Sequence, residues 1–201
     1  MEQSSVVSMI KPSNEMTAYF GAPALVGPEK LEDYEKLGNS IAAAINPMDA
    51  IGWMFTRDVT DWSWDIQRER TIKAEVIKYF QKEVVGELLR STLAPSGQLE
   101  NALYRIFQAG AEISRWSTDP EARMLIDKAL AEKGYDANYI LAQAYMRAAG
   151  QIEAIDRRIT AYEQRRTAAL RGAGLWTESL QKRLTLALPP IIDGEFNEAP
   201  E

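Results

Sequence analysis

The chain has no cysteine and no histidine among its 201 residues. Without cysteine there is no disulfide, no thiolate nucleophile and no iron–sulfur cluster. Without histidine there is no Ser-His-Asp or Cys-His catalysis and no Cys/His zinc site. Any catalysis has to come from Asp, Glu, Lys, Arg, Tyr, Ser or Thr. Long apolar runs are also missing. The cleanest stretch, residues 41–45, falls far short of the roughly 20 residues a membrane helix needs. Residues 1–5 show neither a basic start nor an apolar segment, so no secretory signal is expected. A cytoplasmic location follows as the default expectation. Net positive charge is lacking too. The formal charge of −6 argues against a whole-chain polyanion binder and leaves room for a local basic patch.

What is present is material for helices. Hydrophobic residues make up 46% of the chain and include five Trp, which is enough for a core at this length. Residues 1–27 read as an irregular lead, interrupted by Pro12, Gly21, Pro23 and Gly27. Pro28 suits a first helical turn, and Glu29, Glu32 and Asp33 place negative charge there. Leu31, Tyr34, Leu37, Ile41 and Ile45 step by three or four, which predicts a helix over 29–45. Asn46 and Pro47 are expected to end it, and to cap and start the next. The following stretch lacks proline up to Leu93, and Ile51, Phe55, Val59, Trp62, Ile66, Val76, Phe80, Val84 and Leu88 recur at helical spacing. One long helix over 48–92 is predicted, with Gly52 and Gly86 as its weak points. Leu99, Leu103, Ile106, Phe107, Ala111 and Ile113 predict another over 98–117. Thr118 or Asp119, followed by Pro120, starts a short helix that runs to Lys133 and closes at Gly134. Asp136 then caps the last helix.

That last helix carries the longest pattern. Leu141, Tyr145, Ala148, Ile152, Ile155, Ile159, Tyr162, Arg166, Ala169, Ala173, Trp176, Leu180 and Leu184 alternate steps of four and three until a final pair of fours. This is a heptad stripe. Ile152, Ile155, Ile159 and Tyr162 are its expected packing seam. Gly172 and Gly174 suggest a kink or break, and Pro189-Pro190 ends the helix. Residues 191–201 form an acidic tail with four carboxylates and no base. The expected fold is all-α, an elongated helical bundle or hairpin with two long antiparallel helices and coiled-coil-like packing. Residues 28–190 are read as a single helical domain. A heptad records a buried face without saying whose face it meets, so pairing within the chain and pairing with a second copy both stay open.

Three charged groups could carry chemistry. Asp58, Asp61 and Asp65 lie at i, i+3 and i+7 on one helix face, where a hard cation or acid–base work is conceivable. No His accompanies them, and a solvated acidic face is the preferred reading. Arg68, Arg70 and Lys73 follow directly. Asp65 with Arg68 and Glu69 with Lys73 are expected to pair along the helix, a phosphate site being the alternative. Between residues 147 and 183 eight basic residues face four acidic ones. Arg158, Arg165 and Arg171 are candidate contacts to an anion or nucleic acid, against a preferred reading as charges flanking the stripe. Gly172-Ala173-Gly174 fits neither a P-loop nor a dinucleotide fingerprint, and no nucleophile–base pair is visible. No catalytic residue, metal site, cofactor or small-molecule substrate is therefore expected.

Asp58-Val59, Trp62, Ile66, Arg68, Arg70 and Lys73, together with Ile155-Asp156-Arg157, Glu163-Gln164-Arg165-Arg166, Leu170-Arg171 and Asp193-Gly194-Glu195-Phe196, carry a resemblance. The chain resembles a group of uncharacterised helical proteins from proteobacterial genomes over residues 30–93 and 137–197, and departs from it at Gly172 and Gly174. The resemblance implies a bacterial helical protein and brings no functional residue with it. The expected function is a non-enzymatic interaction or assembly protein, with a protein partner or a homo-oligomer and no membrane. The alternative is a nucleic-acid-associated accessory or regulatory protein using the basic face of the last helix.

Overall fold

The computed structural model describes residues 18, 20–93 and 110–187. The fold is all-α, and the described residues include no strand. Helix α1 covers Leu31–Ile45 and α2 covers Ala50–Leu93. Residues 110–118 are helical and are called α3. Helix α4 covers Pro120–Ala131 and α5 covers Ala137–Ala187. The start of the expected helix at 98, the first residues of the expected lead and the acidic tail lie outside the described residues. The described chain divides into two compact units. One holds the residues up to Trp64 and those from Tyr162 onward, and the other holds Asp65–Ala161. Both long helices contribute to each unit.

In the first unit, α1 begins with Glu32 and Asp33 in its first turn, where carboxylates favour the helix dipole. Its buried line is Tyr34, Gly38 and Ala42. Small residues at 38 and 42 let α1 approach closely, and Ala42 packs with Trp53 and Phe20. Asn46 does not cap α2 as expected. It closes α1 instead, with φ 52° and its N–H donating to the Ala42 carbonyl at 2.8 Å. A left-handed residue lacks the extended backbone of an N-cap. Asp49 takes that role, its Oδ1 accepting from Gly52 N at 2.7 Å. The same carboxylate accepts from Trp176 Nε1 at 3.1 and 3.0 Å, which ties the start of α2 to α5.

The close contacts of this unit are antiparallel. Asp49 meets Trp176, Phe55 meets Gly172, and Trp62 stacks on Tyr162 with centroids 5.7 Å apart. The break expected at residues 172–174 does not occur, and α5 runs through them. Gly172 has a packing reason. A Cβ there would sit 2.6 Å from Phe55 Cε1. The buried hydroxyls of Thr56 and Thr60 donate to the carbonyls of Gly52 and Thr56 at 2.9 and 2.7 Å, which satisfies groups that would otherwise be costly to bury.

The second unit has its own core. Val84, Val85, Trp116, Ile126, Leu130 and Ile140 are buried together, with Leu88, Leu89 and Tyr135 against them. Asp119 caps α4, accepting from Glu121 N and Ala122 N, and Pro120 takes the first turn. Gly134, at φ 88°, closes the other end, with Tyr135 N donating to the Leu130 carbonyl at 3.0 Å. That geometry suits glycine. Asp136 Oδ1 then accepts from Tyr139 N at 2.8 Å and starts α5. Trp116 Nε1 donates to Asp127 at 2.7 Å, and Arg123 covers the Trp116 ring at 4.7 Å, so α3 and α4 are joined by one indole.

Candidate functional site

The seam residues are placed unequally. Ile155 is 2% exposed. Ile152, Ile159 and Tyr162 are half-buried. The fold of the chain itself buries Ile155 and covers the other three in part. Towards the start of α5 the buried line departs from the expected one. Ile140, Ala144 and Ala148 are buried, whereas Leu141 is 39% and Tyr145 44% exposed. Helix α5 therefore carries two apolar lines about one residue apart, roughly 100° round the helix. The line through 140, 144 and 148 is covered.

The second line is open. Leu141, Tyr145 and Met146 are exposed, Met146 at 71%. Ala142, Ala149 and Gly150 are exposed beside them. Between Asn138 and Ile152 the exposed residues carry one charge, that of Arg147, and its guanidinium is held by Glu87 through two bonds of 2.8 and 2.7 Å. Tyr145, Ala149, Ile152, Glu153, Asp156 and Arg157 are among the residues lining a shallow groove of about 540 Å³ that continues along the same face. Contiguous exposed apolar surface of this kind marks contact sites more often than bare solvent boundary.

The candidate cations are engaged differently. Arg158 donates to both carboxylate oxygens of Glu69 at 2.6 and 3.0 Å. Arg165 lies over the Trp62 ring at 5.0 Å. Arg171 is exposed. Two of the three guanidinium groups are thus committed inside the fold. The pairing expected between Glu69 and Lys73 is replaced. Glu69 is 8% exposed and faces Arg158, and Lys73 reaches Asp156 at 2.8 and 2.9 Å. Partners on α5 fix both side chains in place of a solvated i,i+4 pair. Asp65 with Arg68 pairs as expected, at 2.5 Å.

The acidic ladder is dispersed. Asp61 accepts from Tyr34 Oη at 2.5 Å and Arg57 Nε at 2.8 Å. Arg57 also donates to the Gly21 carbonyl at 3.2 Å. Asp58 stands beside them with its pKa raised, first by burial and then by the neighbouring Asp61 charge, which Arg57 partly offsets. No group of carboxylates able to hold a metal ion occurs among the described residues. Glu87 is held below the ordinary carboxylate range by the hydrogen bond from Arg147. No helix is long and apolar enough to cross a membrane among the described residues.

An all-α bundle that leaves an apolar stretch of α5 exposed is the class the geometry defines. Comparison with protein-family models, curated proteins and solved structures finds no match to the chain. The open face was missed in the sequence because the expected stripe ran through it. The spacing predicts Leu141 and Tyr145 in the buried line, and the structure buries Ile140 and Ala144.

Proposed function

We propose that the protein is an interaction or assembly protein whose contact surface is the exposed face of α5 between Leu141 and Ile152. One observation carries this reading. The helix bears two apolar lines, and the fold covers one. Exposed Leu, Tyr and Met on consecutive turns are a standing cost in water unless something covers them. The alternating seam through Ile155 is spent inside the chain, so it is the neighbouring line that remains for a partner. Aromatic and methionine side chains are the types enriched at such contacts.

A photo-crosslinking residue placed at Tyr145 tests the reading in the cell that makes the protein. Adducts of discrete mass are expected from that position and none from Glu75, an exposed position on α2. Equal labelling at both, or none at Tyr145, removes the reading.

A further inference from the structure

A groove where α2, α3 and α4 converge lies wholly within the second unit and is separate from the open face of α5. Its volume is about 400 Å³, which is the size of a small-molecule site. Lys78 and Lys82, one turn apart, line it from α2, and Arg123 lines it from α4. Trp116, at the end of α3, and Tyr79 supply rings. Glu75 is the one carboxylate in the lining. Three cations against that one acid leave a net charge of +2, in a chain whose formal charge is −6.

These cations differ from the others in the unit. Lys73, Arg147 and Arg158 each reach a neighbouring helix and meet a carboxylate there: Asp156, Glu87 and Glu69. No carboxylate of α3 or α4 lines the groove. Lys78 pairs along its own helix with Glu75 at 2.7 Å, and the two side chains are 66% and 62% exposed. Such a pair contributes little and is readily exchanged. Arg123 lies over the Trp116 ring at 4.7 Å, and its Nε is 3.7 Å from Asp127, too far for a hydrogen bond. Lys82 makes no ion pair or hydrogen bond among the described residues. Like charges gathered without a counter-charge cost free energy that a bound anion removes.

We infer that the groove binds a small phosphate ester, its phosphoryl group held by Lys78, Lys82 and Arg123 and its organic part resting on the Tyr79 ring. Donors on three side chains from two helices suit an anion with several oxygens and more than one charge. The groove is larger than a phosphate ion alone. Tyr79 is 58% exposed, and its hydroxyl donates to Glu83 at 2.8 Å, so the ring is what it offers to a ligand. The acidic balance of the whole chain disfavours an extended polyanion.

Calorimetric titration of the purified full chain at low salt tests the inference, with inorganic phosphate, adenosine monophosphate, adenosine and a short single-stranded oligonucleotide as probes. Adenosine monophosphate should bind more tightly than phosphate, and adenosine should give no measurable binding. Lys82→Gln should weaken both phosphate compounds by at least about 5-fold. Lys128→Gln, an exposed change on α4 outside the groove, should alter neither. Tyr79→Ala should weaken adenosine monophosphate by about 5-fold and leave inorganic phosphate unchanged. Lys82, Lys128 and Tyr79 are all exposed, so the melting temperatures should stay close to that of the parent chain. No binding of either phosphate compound, or equal losses in Lys82→Gln and Lys128→Gln, overturns the inference. Binding of the oligonucleotide alone overturns it in favour of a nucleic-acid surface. If Tyr79→Ala leaves the ratio of the two affinities as it was, the organic part does not rest on that ring, and the ester is overturned in favour of phosphate alone.

Discussion

The two units pair the same two helices by different chemistry. In the first, the contacts between α2 and α5 are rings and small residues: Trp62 on Tyr162, Arg165 over Trp62, Phe55 on Gly172, and Trp176 on the Asp49 cap. In the second, Val84, Val85 and Ile140 share a core, and charged pairs are added to it: Glu69 with Arg158, Lys73 with Asp156, and Glu87 with Arg147. Ring and methylene contacts gain from apolar burial and hardly respond to salt. Charged pairs at half-exposed sites contribute less and are screened, but they fix which residues stand opposite. The first unit also covers a further face of α2 with α1. The second leaves an apolar face of α5 open.

The largest break in this comparison is Ile155→Asp. The site is 2% exposed, so the change removes a core side chain and introduces an unpaired buried charge. A loss of about 3–5 kcal/mol is expected, read as a drop in thermal midpoint with reduced helicity. Unchanged melting would show that Ile155 is not part of the core of the second unit. Next in size is a contrast within the first unit. Gly172→Ala places a Cβ 2.6 Å from Phe55 Cε1, whereas nothing lies within 4 Å of a Cβ at Gly174. Helix propensity favours both changes by up to about 1 kcal/mol. Overpacking at residue 172 outweighs it, giving a net loss of about 1 kcal/mol, while Gly174→Ala stabilises. Denaturant melts of the two variants should move in opposite directions.

Helix boundaries and caps were largely legible because they rest on local chemistry. Pro120 after Asp119, Gly134 and Asp136 each act where the sequence places them. Asn46 is ambiguous in the sequence because one residue both ends a helix and precedes the next, and only its backbone angle decides which. The glycines at 172 and 174 illustrate a wider limit. As sequence they look alike, and whether one is a break or a close approach depends on a ring more than a hundred residues away. The candidate face was hidden for a similar reason. Ile140 and Leu141 start two lines of nearly equal apolar content, and periodicity alone does not say which of them meets the core. The pairs of Glu69 and Lys73 were within reach of partners on the same helix, and long-range packing redirected them.

A smaller effect sharpens the role of charge in the second unit. Glu69→Gln keeps the shape and removes half of the paired charge at a site where the Glu69 side chain is 10% and that of Arg158 46% exposed. With one partner half in solvent, the loss should be about 1 kcal/mol. Raising the salt concentration should narrow the gap between this variant and the parent chain. Gly172→Ala in the first unit should show no such salt dependence. A salt-independent gap for Glu69→Gln would mean that shape, and not charge, sets the pairing.

The smallest expected effect belongs to the first unit and has the opposite sign. Asp58 has its pKa raised by burial and by Asp61. A carboxyl with a raised folded-state pKa binds its proton more tightly when folded. Its favourable contribution is complete below the unfolded-state value and is lost as pH rises through the folded one. At neutral pH the ionised group is therefore a small liability. Asp58→Asn should raise the melting temperature slightly at pH 7. That gain should shrink as the pH falls through the range where Asp58 takes up its proton. In Asp61→Asn the outcome is different, since Asp61 accepts from both Tyr34 and Arg57 and its neutral amide leaves the guanidinium without its counter-charge. A destabilised Asp58→Asn at pH 7 would mean that Asp58 is held by attraction to Arg57, and that the acidic face of α2 stabilises the first unit as the ion pairs stabilise the second.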